Sequence, residues 1–116
     1  MALATELPIY REAYNLLLLA TQLTRNFSRD YRYGLARDIR IEAKDVVKYI
    51  FKANSSRDKT EILEQLRESL MTLQLDFRLS KDLRLISPKQ FGSTVVLTQA
   101  VGKQLTGWLN YTRKSA

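Results

Sequence analysis

A chain of 116 residues, 45% apolar and 27% charged, has the composition of one globular domain, here 1–116, rather than of a disordered polymer. It contains no Cys and no His, which removes disulfides, most zinc sites and the Ser-His-Asp and Cys-His nucleophile pairs, so an enzyme would have few groups to work with. Its 19 Lys and Arg against 12 Asp and Glu give a formal charge of +7 and a pI near 9.9, which makes polyanions its natural partners.

Two prolines, four glycines and apolar residues recurring at steps of three and four predict helices throughout. The first helix is expected from about Pro8 to Asn26. It holds the longest apolar run, Leu16 to Ala20, far short of the roughly 20 residues that span a bilayer. Glu6 precedes that run and no basic segment does, so a signal peptide is not expected and a cytoplasmic location is. Leu16, Leu17, Leu18 and Leu19 step about 100° apart around the helix, more than a single core can bury.

The second helix is expected from Gly34 to Asn54, with Leu35, Ile39, Ala43, Val46, Ile50 and Ala53 as its core stripe. Arg37, Lys44 and Lys48 fall within about 40° of one another, flanked by Arg40 and Lys52, and form a basic ridge. Asp38, Glu42 and Asp45 interleave with the ridge, so it reads first as a solvated face whose acids can pair with its basic residues or repel a phosphate. Asn54-Ser55-Ser56 then supplies a stop and a cap, with Asp58 beside the positive N-terminal end of the next helix.

The third helix is expected from Asp58 to Ile86, its core side marked by Ile62, Leu66, Leu70, Leu73 and Phe77. Glu61, Glu64 and Glu68 read as a solvated face, because carboxylate metal sites in helical bundles also draw on Glu-x-x-His and no His exists. Arg78, Lys81 and Arg84 bring positive charge to its C-terminal part, diluted by Asp76 and Asp82. The fourth helix, from Pro88 to Arg113, has the clearest start: Ser87 as N-cap, Pro88 at N1 and Gln90 at N3 complete a capping box, and Ile86 and Phe91 fit a hydrophobic staple.

On this last helix Lys89, Lys103 and Lys114 are nearly collinear, and with Arg113 they are its only charges, all of one sign. Ser93, Ala100 and Gly107, seven apart, form a track of small residues that would admit another helix closely. The six tyrosines, Tyr10, Tyr14, Tyr31, Tyr33, Tyr49 and Tyr111, are expected mostly at the core edge with the hydroxyl outward.

Short connections between long amphipathic helices predict an all-α, antiparallel up-down-up-down four-helix bundle. The over-wide leucine run and the small-residue track favour a homo-oligomer over a lone bundle. No metal, cofactor, small-molecule substrate or membrane is implied, and binding rather than catalysis is expected. The binding surface for nucleic acid or a protein partner is expected at Arg84, Lys89, Lys103, Arg113 and Lys114, joined by Arg78 and Lys81. Arg40, Lys44 and Lys48 rank below them because of the acidic residues on their own helix.

Several stretches resemble the Avd family. In the N-terminal half they are Leu7-Pro8-Ile9-Tyr10, Leu16 to Leu19, Asn26-Phe27-Ser28-Arg29-Asp30-Tyr31-Arg32-Tyr33 and Val47-Lys48-Tyr49-Ile50-Phe51-Lys52-Ala53-Asn54. In the C-terminal half they are Arg78-Leu79-Ser80-Lys81-Asp82-Leu83-Arg84-Leu85-Ile86-Ser87 and Val101-Gly102-Lys103-Gln104-Leu105-Thr106-Gly107-Trp108-Leu109. Avd proteins are accessory variability determinants of diversity-generating retroelements. The resemblance implies a four-helix bundle assembled as a barrel-like homopentamer that binds RNA or DNA and associates with a reverse transcriptase during mutagenic copying of template RNA. A related family, encoded in intervening sequences of ribosomal RNA genes, offers the alternative of a structural or interaction module. It typically carries Asn-Ile-Ala-Glu-Gly where this chain has Lys52-Ala53-Asn54-Ser55-Ser56. The chain departs from the Avd pattern at Ala36 and Thr106, where Gly is common, and Thr106 puts a β-branched side chain beside the small-residue track.

Overall fold

Pro8 opens the first long helix at N1, where its missing N–H costs no hydrogen bond and its fixed φ suits the helix. In the computed structural model, which describes residues 2–115, a 3-10 turn (Ala4–Glu6) precedes α1 (Pro8–Thr24). After it come a single turn, α2 (Arg29–Arg32), and three further long helices, α3 (Leu35–Ser55), α4 (Thr60–Asp82) and α5 (Pro88–Ser115). Each long helix packs on the next, and α5 closes on α1, so the four form a bundle of 46 × 22 × 22 Å. Short turns between packed neighbours make the order up-down-up-down.

The core is the predicted set with additions. Ile39, Ala43, Val46, Ile50 and Ala53 of α3 and Leu66, Leu70, Leu73 and Phe77 of α4 are buried, while Leu35 and Ile62 are half-buried at its edge. Leu63 joins them, fully enclosed. On α5 two core positions are threonines, Thr94 and Thr98, whose hydroxyls donate to the carbonyls of Phe91 and Val95. Satisfying the hydroxyl within the helix lets an apolar core accept it.

Helix ends follow local hydrogen bonding. At α5 the Ser87 N–H donates to Gln90 Oε1 at 2.8 Å and the Gln90 N–H to Ser87 Oγ at 3.0 Å, the predicted capping box. Ile86 is buried beside it and Phe91 packs on the core. α4 stops at Asp82 rather than Ile86. The Arg84 N–H bonds the Lys81 carbonyl, the Leu85 N–H bonds the Ser80 carbonyl, and Arg84 takes φ 62°, which together make a Schellman ending. An arginine stands where such endings usually have glycine, so nothing in the residue pattern announced the stop.

The leucine run divides as its angular spread requires. Leu16 is buried, Leu17 and Leu19 are half-buried, and Leu18 is 46% exposed. The small-residue track faces outward: a Cβ at Gly107 would meet no atom within 4 Å, and Ser93 and Thr106 are exposed. Ala100, between them on the track, is half-buried, so only the two ends of the track serve no packing inside the bundle. Of the tyrosines, Tyr10, Tyr31 and Tyr49 sit at the core edge as expected, but Tyr14, Tyr33 and Tyr111 are exposed. Among the described residues no helix is long and apolar enough to cross a membrane.

Candidate nucleic-acid interface

The antiparallel order brings the end of α1, the start of α3, the end of α4 and the start of α5 to one end of the bundle. Nine basic residues from these segments and α2 meet there, against the four acids Asp30, Asp38, Asp76 and Asp82: Arg25, Arg29 and Arg32 in and beside α2, Arg37 and Arg40 on α3, Arg78 and Lys81 on α4, Arg84 in the turn and Lys89 on α5. The opposite end is closer to balance, with Arg11, Lys52, Arg57, Lys59, Arg113 and Lys114 among Glu6, Glu12, Asp58, Glu61 and Glu64.

The predicted binding residues are therefore spread along the molecule. Arg40, Arg78, Lys81, Arg84 and Lys89 share the basic end, while Lys44, Lys48 and Lys103 lie along the shaft. Lys44 and Lys48 are on α3 and Lys103 on α5, two helices that sit diagonally across the bundle. Lys89 and Lys114 are about 37 Å apart at ~1.5 Å rise per residue, too far for one compact site.

Around the α4–α5 turn, the Lys81 ammonium sits 4.8 Å from the centroid of the Phe91 ring, a cation–π contact that holds its charge against the start of α5. Arg78 pairs with Asp82 at 3.5 Å, with both side chains largely in water. Arg84 and Lys89 are exposed, and no carboxylate among the described residues lies within ion-pair distance of either.

Two expectations about neutralisation are corrected. Arg113 is paired with Glu64 of α4, which also approaches Arg67 at 3.9 Å, so the end of α5 does not keep an uncompensated field. The carboxylate comes from a neighbouring helix, invisible to a reading of α5 alone. Conversely, among the described residues Asp38, Glu42 and Asp45 make no ion pair with the basic ridge of α3. They lie on the flank facing α4, where partial burial, then Asp45, Asp76 and Asp38, raise the Glu42 carboxyl above its ordinary value. Burial and Asp38 raise that of Asp76. The acids repel one another across the α3–α4 seam, roughly 100° from Arg37, Lys44 and Lys48.

The arginines flanking α2 were not singled out from sequence. A partial signal was present: Arg25, Arg29 and Arg32 alternate with Phe27, Tyr31 and Tyr33, of which Phe27 is in the core, Tyr31 is half-buried and Tyr33 is exposed beside the arginines. Glu61, Glu64 and Glu68 do not converge, and among the described residues no group of three acidic side chains could hold a metal ion.

The fold and surface define the class of elongated four-helix bundles with a basic end and outward apolar residues on several helices. Comparison with known families makes this specific. The chain matches the model of the bAvd-like family over residues 9–112, and it belongs to that family. Membership makes it an Avd-like accessory protein of diversity-generating retroelements, a type that is generally non-catalytic. No curated protein matches the chain significantly.

Proposed function

We propose that this protein is a nucleic-acid-binding accessory protein of a diversity-generating retroelement. In this reading it is a single-domain cytoplasmic protein that associates with the element's reverse transcriptase and supports mutagenic copying of template RNA. Family membership supports the association with a reverse transcriptase. The observation that carries the nucleic-acid reading is the basic end, where Arg84 and Lys89 stand unpaired beside Arg78 and Lys81. Phosphate contacts from such groups are independent of base sequence and weaken steeply with salt. Lys103 and Lys114 extend the surface along α5. Arg113 contributes less while Glu64 holds it.

The working form in this proposal is a homo-oligomer, a pentameric barrel. Two outward faces support it. Met71, Leu75 and Leu79 of α4 and its C-cap residue Leu83 recur every fourth residue, with Leu75 65% exposed. The outer face of α5 carries Val96, 67% exposed, beside Ser93, Ala100 and Gly107. An apolar ridge on one helix and a smooth track on the next are unlike surfaces, and unlike surfaces on one protomer suit head-to-tail contacts that close as a ring.

Anisotropy titration with RNA and DNA at about 50 mM and about 200 mM salt tests the binding reading, with affinity expected to fall steeply between them. No binding at the lower salt would overturn it. Light scattering tests the assembly: a monomer mass at micromolar protein would remove the oligomer, and a dimer would remove the pentamer.

A further inference from the structure

Where α1 ends and α3 begins, Arg25, Arg32, Arg37 and Arg40 line one recess of about 340 Å³. They come from three consecutive segments, the end of α1, the turn α2 and the first turns of α3, and converge only because the chain reverses there. Among the described residues no carboxylate lies within ion-pair distance of any of the four. The acids nearest in sequence, Asp30 and Asp38, do not line the recess. The hydroxyls of Thr21 and Thr24 in its wall donate to the Leu17 and Ala20 carbonyls, so neither has a proton to offer an anion and the arginines are the donors there. The N-terminus of α3 also lies here, its positive dipole end offset in part by Asp38 in the first turn.

Four arginines lining one cavity, with no carboxylate of the described residues in ion-pair distance, suit an anion. The fork of each suits a phosphate, which accepts two parallel N–H bonds. The rim adds a second chemistry. Tyr33 lines the recess and is 77% exposed, a large ring left in water beside cations. An exposed ring next to a phosphate site suits an unpaired base, because a base within a duplex is already stacked on both faces.

We propose that this recess binds single-stranded nucleic acid, with the arginines holding a backbone phosphate and the Tyr33 ring stacking on an adjacent base. The site rests on the nucleic-acid reading above but is separate from the α4–α5 turn on which that reading was built. It names the strand state the protein takes.

The test is fluorescence anisotropy of the full-length protein with labelled oligouridylate and oligothymidylate, and with a duplex of the same length, at two salt concentrations. The variants are Arg25→Gln/Arg32→Gln/Arg37→Gln, the same triple to Lys, Tyr33→Ala, and Arg84→Gln/Lys89→Gln at the other site. Circular dichroism and solution mass establish that each is folded, and the half-buried Arg40 is left intact to protect the fold. The Gln triple is expected to lose about tenfold or more in single-strand affinity at low salt, with a shallower salt dependence. The Lys triple should lose less and keep its slope. Tyr33→Ala should lose about fivefold with the slope unchanged, because stacking releases no counterions.

If wild type binds strands but the Gln triple binds equally well, the recess is not the site and the accessory reading survives. Absence of wild-type binding to any oligonucleotide overturns both. Equal affinity for duplex and single strand, with Tyr33→Ala silent, overturns the single-strand assignment. Calorimetry with inorganic phosphate separates the remaining source: heat abolished by the Gln triple while its oligonucleotide affinity stays intact would make this a free-phosphate site and overturn the proposal.

Discussion

The ammonium of Lys59 lies 2.6 Å from the carbonyl oxygen of Ala53, so a cation preceding α4 closes the end of α3. It also donates to the carbonyl of Ser56 at 2.7 Å. Terminal carbonyls that a helix cannot bond internally thus find a charged donor at the negative pole of its dipole. Lys59→Met keeps the aliphatic stem and removes only the charge. It should cost roughly 1 to 2 kcal/mol, seen as a lower urea midpoint at unchanged m-value. An unmoved midpoint would mean that the lysine is merely solvated.

Arg84 holds a left-handed backbone at φ 62° that glycine would adopt without strain. Arg84→Gly should therefore stabilise the bundle by roughly 0.5 to 1 kcal/mol, the relief of strain exceeding the entropy a glycine adds to the unfolded chain. The same change should weaken polyanion binding, because it deletes an unpaired cation at the basic end. Arg84→Gln should weaken binding without the gain in stability. Thermal melts and salt-dependent titrations of the pair read the two effects apart, and a Gly variant that is no more stable would show that the strain is negligible.

Asp76 and Glu42 ionise at higher pH in the folded bundle than in the unfolded chain. Over that interval the folded state holds more protons, so this contribution to stability falls as pH rises. The loss starts near the ordinary carboxyl values, 3.8 for Asp76 and 4.5 for Glu42, and is complete above the raised ones. Asp76→Asn removes one of the repelling charges. It should stabilise the protein by roughly 0.5 kcal/mol at about pH 7, a small effect because water screens the seam, and by almost nothing at about pH 3. A gain that persists at acid pH would point to packing instead.

Arg113 and Lys103 stand on the same helix with different surroundings, the first held by Glu64 and the second exposed with no ion pair among the described residues. Lys103→Gln should reduce nucleic-acid affinity more than Arg113→Gln. Glu64→Gln should raise affinity by freeing Arg113. Stability should shift by less than about 1 kcal/mol in all three, as exposed pairs contribute little. Titrations at low salt decide the order, and the reverse ranking would show that Arg113 leaves Glu64 to meet its ligand.

Helix content was legible because Ile39, Ala43, Val46 and Ile50 repeat at helical steps, and the start of α5 because Ser87, Pro88 and Gln90 each favour one position of a cap. The end of α4 was not, since it depends on an arginine in a conformation that residue type argues against. Nor was the charge map. Periodicity tells which residues share a helix face but not which neighbour that face meets, so the placing of Asp38, Glu42 and Asp45 against Asp76 of α4 was not legible. The Glu64–Arg113 pair joins residues 49 apart in sequence, and the four-arginine recess forms only at a chain reversal.

In an up-down-up-down bundle the backbone dipoles of neighbouring helices oppose and largely cancel, so the long-range electric moment of this rod comes from its side chains. With a mixed-sign tip at one end and a cationic tip 46 Å away along the long axis, a distant polyanion exerts a torque before any contact forms. The rod then arrives cationic tip first, and fewer encounters are spent on unproductive orientations. This aiming acts on the association rate and fades once the screening length, about 10 Å at 0.1 M salt, falls well below the length of the rod.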